Sequence, residues 1–113
     1  MKSEMLIKRG AIVLCEMPKY VNSSVQGNVR PAVVLSNDKA NIYSSVVTII
    51  PLTGASKKPL PVHTVVKSTV RESTALAEQL TIIDKNRIIR ILGRVTDDEM
   101  CRITQAVKIQ LAM

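Results

Sequence analysis

Short apolar runs alternate with polar segments that contain glycine, proline, asparagine or serine along most of the chain. The runs predict strands at residues 10–17, 31–36, 46–52, 62–66, 75–83 and 88–95. Polar connections are predicted at residues 19–28, 37–45 and 53–61, and a turn or single helical turn at 84–87. Short strands with loops of variable length are typical of a small barrel or sandwich rather than of βαβ units.

The last segment has a helical period instead. Thr96 and Glu99 have the spacing of a capping box, in which the threonine hydroxyl and the glutamate side chain each accept a backbone N–H. Apolar residues then recur at helical spacing from Met100 to Leu111. We therefore expect a C-terminal amphipathic helix that begins near Asp97, and a mainly β fold with α (α+β).

Two residues predict irregular pairing within the strands. Pro51 lacks a backbone donor, so the strand at 46–52 is expected at a sheet edge or to end in a bulge. Gly93 interrupts the strand at 88–95 and indicates a bulge there.

The composition predicts one domain spanning residues 1–113 with an aliphatic core. The sequence has no Phe, no Trp and two Tyr, which excludes a stacking platform of aromatic side chains for single-stranded bases. The formal net charge of +7 indicates a polyanionic partner. Nucleic acid, an anionic membrane surface and an acidic protein segment all fit, as does a soluble protein that is merely basic.

Metal and cofactor chemistry is not expected from this sequence. Cys15 and Cys101 have no paired spacing and are expected to be buried free thiols. His63 is the one histidine, so a two-histidine acid/base pair is excluded within one chain, and a structural or rim position is expected for it. No signal peptide and no run of ~20 apolar residues is present, so we expect a cytoplasmic location and no membrane insertion.

The remaining candidate chemistry is the binding of an anion by positively charged side chains. Arg30 is fixed by the proline that follows it, and guanidinium is a planar phosphate ligand that stays charged. Thr53 ends an apolar strand before Gly54, and Lys57 and Lys58 lie just beyond. Such a set suits cleavage of a phosphodiester whose own 2′-OH is the nucleophile. A solvated strand end and an ordinary turn are the alternative interpretations of Arg30 and Thr53.

The chain resembles the MazF/PemK family of toxin endoribonucleases from about residue 8 to residue 111. The matching pieces, in order, are "RGAIVL", "QGNVRPAVVLSND", "PLTGASKKPLPVH", "ALAEQLTIIDKNRI", "LGRVTDDEM" and "AVKIQL". The resemblance implies an SH3-like β-barrel with a C-terminal helix, working as a homodimer. It also implies sequence-specific, metal-independent cleavage of single-stranded RNA, usually mRNA, to 2′,3′-cyclic phosphate and 5′-OH ends.

The resemblance also implies the site and the partners. The catalytic pair falls on Arg30 and Thr53, and the predicted RNA-binding residues are Gln26, Asn28, Lys57, Lys58, Glu78 and Gln79. An acidic antitoxin would occupy the same basic groove, and the toxin–antitoxin complex could bind operator DNA.

Three residues depart from the family pattern, namely Ala11, Val25 and Thr81, and they leave the cleaved base sequence open. The alternative function is a non-catalytic barrel toxin of the gyrase-inhibitor type or a nucleic-acid-binding autoregulator. The gyrase inhibitors depend on a tryptophan near the chain end, which this sequence lacks.

Overall fold

The computed structural model describes residues 6–17, 29–54 and 58–113. Within these residues the chain forms seven strands, two α-helices and two 3₁₀ turns. The strands are β1 (Ala11–Glu16), β2 (Val29–Val34), β3 (Val46–Thr53), β4 (His63–Val66), β5 (Ser73–Leu76), β6 (Thr81–Asp84) and β7 (Ile88–Arg94). The helices are α1 (Asp38–Tyr43) and α2 (Asp97–Leu111), and the 3₁₀ turns are Ala77–Gln79 and Lys85–Arg87. The connection predicted at residues 19–28 falls outside the described residues.

All described strand pairs are antiparallel, and β3 is the strand that joins the two halves of the sheet. The strand order is β4-β5-β3-β2-β1-β7, and β6 pairs with β3 beside this path. The predicted mainly β fold with a C-terminal helix is confirmed. The predicted irregularity at Gly93 is also confirmed, because the register of β7 against β1 shifts between Gly93 and Ile91.

Alternating side chains fill two aliphatic cores on the two faces of the sheet. One core packs against α2 and includes Ile12, Val33, Ile50 and Ile103. The other lies on the opposite face and is formed by buried residues that include Val13, Cys15, Ala32, Val34, Ile49 and Ile88. Neighbours in sequence such as Ile12 and Val13 enter different cores because successive strand side chains point to opposite faces.

The predicted capping box at the start of α2 is confirmed. Thr96 Oγ1 accepts from the Glu99 N–H at 3.1 Å, and Glu99 Oε1 accepts from the Thr96 N–H at 2.9 Å. The buried Glu99 carboxylate also accepts from the Lys67 N–H at 2.7 Å and from the Ser68 hydroxyl. One carboxylate therefore both caps α2 and holds the connection between β4 and β5 against it.

Pro51 does not lie on an edge strand, which corrects the prediction. Leu35 N donates to Thr48 O at 2.9 Å, so in the β2–β3 register the proline nitrogen faces away from β2. On that far side β6 pairs with β3 only as far as Ile49, and β5 pairs from Leu52 onward. The missing donor therefore falls in the gap between two partners, where no ladder bond is lost.

Three local predictions are wrong. The polar segment 37–45 contains α1, capped by Asn37 Oδ1, which accepts from the Ala40 N–H at 2.8 Å. The segment 75–83 is interrupted by the turn Ala77–Gln79 instead of running as one strand. Cys101 is exposed because it lies on the side of α2 turned away from the core, whereas Cys15 is buried as predicted.

No helix in the described part of the chain has the length and hydropathy needed to cross a membrane.

Candidate functional site

Arg30 and Thr53 lie at the same end of two neighbouring strands. β2 and β3 pair antiparallel with Ala32 opposite Pro51, and β2 and β3 each extend beyond that pair. Continuing the register by two residues along each strand brings Arg30 opposite Thr53. Side chains of such a cross-strand pair point to the same face, with Cβ atoms about 5 Å apart. The arginine is the second residue of β2, so it lies inside the strand rather than before it.

The neighbouring strands extend this pair into a row across the sheet. Cys15 of β1 lies opposite Arg30, Thr74 of β5 lies opposite Thr53, and Val65 of β4 lies opposite Thr74. We call these five residues the strand-end row. Because directly paired residues share a face, the row brings one guanidinium and two hydroxyl groups to one surface.

The guanidinium of Arg30 is available to a ligand. Arg30 is half-buried, and within residues 6–17, 29–54 and 58–113 its guanidinium has no hydrogen-bond or ion-pair partner. Its contact with β1 is through the backbone, where the Arg30 carbonyl oxygen accepts from Cys15 Sγ at 3.5 Å. A positive charge held by a strand and left unpaired is suited to binding an anion.

The Cys15 thiol beside Arg30 is not a candidate nucleophile. Burial raises the pKa of Cys15 to about 11, and the Arg30 charge opposes that shift only in part. The thiol is therefore neutral at physiological pH, and the thiolate is the reactive form of cysteine. The chemistry of the row rests on the arginine and the hydroxyl groups.

The other predicted site residues fall into two groups. Lys58, Glu78 and Gln79 are exposed, and the last two belong to the 3₁₀ turn that follows β5. Gln26, Asn28 and Lys57 lie outside the described residues. The structure brings Lys58 and Glu78 together through one side chain that sequence reasoning left open, His63.

His63 contacts both segments. Its Nε2 lies 2.7 Å from Glu78 Oε2, and its Nδ1 lies 2.8 Å from the Lys58 carbonyl oxygen. The sequence held no local signal for this contact, because the β4–β5 hairpin is what brings His63 and Glu78 together.

A cavity of about 890 Å³ lies between β4 and α2. It shares Val65 with the row, and Lys67 and Arg102 give its wall two positive charges. No group of three or more His, Cys, Asp or Glu side chains in the described part of the chain is placed to hold a metal ion.

Residues 8–111 match the sequence profile of a family described as the PemK-like, MazF-like toxin of type II toxin–antitoxin systems. The chain belongs to this family. Among MazF-like relatives, the Endoribonuclease MazF of Staphylococcus saprophyticus is 31% identical in an alignment of 113 positions that covers 96% of this chain and 93% of that protein.

Solved MazF structures share the fold. MazF from Deinococcus radiodurans has a TM-score of 0.84 at 20% identity, with 97% of this chain and 100% of that chain covered. A mycobacterial endoribonuclease in complex with its cognate antitoxin has a TM-score of 0.78 at 20% identity, with 95% and 96% covered. At these identities the likeness concerns the fold alone.

Proposed function

We propose that this MazF-like endoribonuclease is the toxin of a toxin–antitoxin pair and that Arg30 and Thr53 carry its cleavage of single-stranded RNA. The observation that supports these roles is the strand-end row. Extending the β2–β3 register by two residues puts Arg30, whose guanidinium has no partner among the described residues, opposite Thr53. The reaction is sequence-specific and independent of metal ions, and it leaves a 2′,3′-cyclic phosphate and a 5′-OH.

The chemistry needs no nucleophile from the protein. The substrate 2′-oxygen loses its proton to water and forms a bond to phosphorus, while the bond from phosphorus to the 5′-oxygen breaks and that oxygen takes up a proton from water. Arg30 stabilises the added negative charge on the phosphorane and assists the proton transfer. Thr53 donates a hydrogen bond to a non-bridging oxygen and so fixes the phosphate beside the arginine.

The partners follow from the charge and the surface. RNA would contact the lysines at positions 57 and 58 and the polar side chains of Gln26, Asn28 and Gln79, and Glu78 belongs to the same predicted surface. The net charge of +7 also suits an acidic antitoxin on the same surface, and operator DNA for the complex. The mycobacterial endoribonuclease above is bound to its cognate antitoxin, and MazF from Deinococcus radiodurans is also known in complex with MazE. The cytoplasm, where mRNA is translated, is the proposed location.

A homodimer is also proposed. Strand β7 is at the edge of the sheet, and its side chains Ile89, Ile91 and Leu92 are each about two-fifths exposed. An apolar edge strand of this kind is a ready surface for a second copy of the chain. Sedimentation of the purified protein tests this assembly.

The test of the cleavage proposal is induced expression of the wild type beside Arg30→Ala, Thr53→Ala and Arg71→Ala. Arg71 is an exposed arginine outside the row, so Arg71→Ala is the matched control for the loss of one positive charge. We expect growth arrest and RNA fragments with 5′-OH ends for the wild type and the control, and neither for the two row variants. EDTA should leave cleavage by the purified protein unchanged.

Two outcomes would contradict the proposal. Cleavage by Arg30→Ala at the wild-type rate would remove the proposed role of Arg30. Growth arrest by the wild type with intact RNA would favour the non-catalytic barrel toxin.

A further inference from the structure

Both ring nitrogens of His63 face acceptors. Nδ1 is 2.8 Å from the backbone carbonyl oxygen of Lys58, and Nε2 is 2.7 Å from Oε2 of Glu78. The His63 side chain is only 8% exposed, whereas the Glu78 side chain is 36% exposed. Burying an imidazole is costly unless its nitrogens are bonded, so these contacts account for its position.

The two acceptors determine the protonation of the ring. A carbonyl oxygen and an ionised carboxylate can only accept hydrogen bonds, so Nδ1 and Nε2 must both carry a proton. Imidazole is a stronger base than a carboxylate, and the proton between the two groups therefore belongs to His63. A neutral ring would lose one of the two bonds. With Glu78 ionised, both contacts are kept only in the imidazolium form.

The contacts join two segments that the proposed function assigns to RNA. Lys58 belongs to the loop that follows Thr53 in the chain, and Glu78 is in the same 3₁₀ turn as Gln79. The side chain of His63 lies between them. Its loss would free the loop and the turn to move independently of each other.

Backbone bonds hold His63 itself in place. The His63 N–H donates to the Leu60 carbonyl oxygen at 2.9 Å, and the Ala77 N–H donates to the Val62 carbonyl oxygen at 3.0 Å. The β4–β5 hairpin then sets His63 opposite Leu76. The ring therefore stands on a rigid element and fastens less regular segments to it.

Other ionisable groups share the surroundings of His63. Lys67, Glu72, Cys101 and Arg102 line the same cavity as the histidine. The two cations among them disfavour a charged ring, and Glu72 favours it. The short contact with Glu78 is the direct ion pair that holds the proton on the ring.

We propose that protonated His63 is a positioning residue for RNA binding, which it serves by bridging the Lys58 carbonyl oxygen and the Glu78 carboxylate. This inference rests on the proposed function. In it, Glu78 supports the RNA-binding surface through His63 instead of contacting the polyanion, to which a carboxylate would be repulsive. RNA binding then weakens as the pH rises through the range in which imidazole loses its second proton.

Variants that remove a single negative charge distinguish loss of the His63–Glu78 contact from loss of the repulsion between Glu78 and RNA. Kinetics on a long in vitro transcript of mixed sequence compare Glu78→Gln, His63→Ala and the control Glu72→Gln, which also removes one negative charge, from the cavity that His63 lines. We expect KM to rise about three- to tenfold for the first two with kcat within about twofold, because positioning for binding is lost. Glu72→Gln should leave KM unchanged or lower it. A lower KM for Glu78→Gln would show repulsion of RNA and overturn the proposal.

The protonation state can be measured without RNA. Because the chain has one histidine, its two ring ¹⁵N resonances need no assignment. Between about pH 5.5 and about pH 8.5, we expect the wild-type ring to stay doubly protonated to a higher pH than in Glu78→Gln. Over the same range KM should rise for the wild type and stay flat for His63→Ala. Identical ¹⁵N titrations in wild type and Glu78→Gln would overturn the bridge, whereas a wild type that does not cleave RNA would overturn only the proposed function.

Discussion

Two half-buried arginines, Arg9 and Arg30, have opposite surroundings. The Arg9 guanidinium donates to the Leu35 carbonyl oxygen and, at 3.1 Å, to Thr104 Oγ1 of α2, while the Arg9 N–H donates to Asp38 Oδ1 at 2.7 Å. These contacts join the start of β1, the end of β2 and the two helices. In the part of the chain that the structure describes, the Arg30 guanidinium has no such partner.

The difference separates charges that hold the fold from charges that can bind a ligand. Near α2, the Arg9 guanidinium and the Glu99 carboxylate are each hydrogen-bonded to groups of the protein itself. In the strand-end row, the backbone holds the arginine, and no described residue accepts a hydrogen bond from its guanidinium. A folded protein keeps an unpaired cation half-buried only at some cost, and such sites are often functional. Mutations in the two regions should therefore change different quantities.

The largest effect is expected for Arg30→Ala. The rate of RNA cleavage should fall by about 10³-fold or more, because a cation that stabilises the transition state is lost. The free energy of unfolding should change by less than about 0.5 kcal/mol, since the guanidinium makes no hydrogen bond or ion pair with the described part of the chain. Initial rates on a transcript and urea unfolding measure the two. Arg30→Lys keeps the charge without the planar fork and should retain part of the activity.

Arg9→Ala should change stability and leave activity nearly unchanged. It should lower the free energy of unfolding by about 2 kcal/mol, because the Leu35 carbonyl oxygen and the Thr104 hydroxyl lose a charged donor. The cleavage rate per folded molecule should stay within about threefold of the wild type. Urea unfolding beside the same cleavage assay checks this, and a stable but inactive Arg9→Ala would show that the two arginines do not divide their roles as described.

Glu99→Gln should cost about 1–2 kcal/mol at neutral pH, since several charge-assisted bonds are weakened. Burial alone would raise the pKa of Glu99, but bonds from the Ser68 hydroxyl and the Thr96 and Lys67 N–H groups outweigh it and lower the pKa below 4.5. The stabilisation is therefore present above the ordinary carboxyl range and is lost as the pH falls through the lowered pKa.

Urea unfolding at a series of pH values from neutral into the acid range tests this pH dependence. As the pH falls, the free energy of unfolding should decrease more for the wild type than for Glu99→Gln. Parallel acid profiles for the two proteins would contradict it.

The smallest effect is expected for the exposed ion pair between Asp98 and Arg102, which are 3.0 Å apart on α2. Removing it with Arg102→Gln should change the free energy of unfolding by about 0.3 kcal/mol, because both side chains are largely solvated. The value should shrink further at high salt. A loss above about 1 kcal/mol in urea unfolding would mean that exposed charges on α2 also hold the fold.

Features with a local cause could be predicted from the sequence. The capping box of Thr96 and Glu99 involves residues three apart, so the sequence predicts that α2 starts near Asp97, as it does. Most strands could also be predicted, because the alternation of apolar runs and polar segments is a local pattern. The short helix α1 was missed because its signals are an N-cap at Asn37 and a buried Asn41 that donates to the Ser36 carbonyl oxygen at 2.9 Å. Neither produces an apolar period.

Features that depend on distant segments could not be predicted from the pattern. That β3 changes partners at Pro51 depends on where β5 and β6 pair with it. The pairing of His63 with Glu78 depends on the β4–β5 hairpin. The roles proposed for Arg30 and Thr53 came from the family resemblance together with their residue types, and the β2–β3 register that puts them at the same strand ends is a property of the folded sheet.

Pro51 also protects the alignment of the proposed catalytic pair. If β3 slipped by one residue against β2, the proline nitrogen would turn toward β2 and a cross-strand hydrogen bond would be missing. The imino acid thus penalises a misthreaded sheet in which Thr53 would point to the wrong face. Pro51, which has no backbone N–H and lies two positions from Thr53, therefore favours the one register that gives the site its geometry.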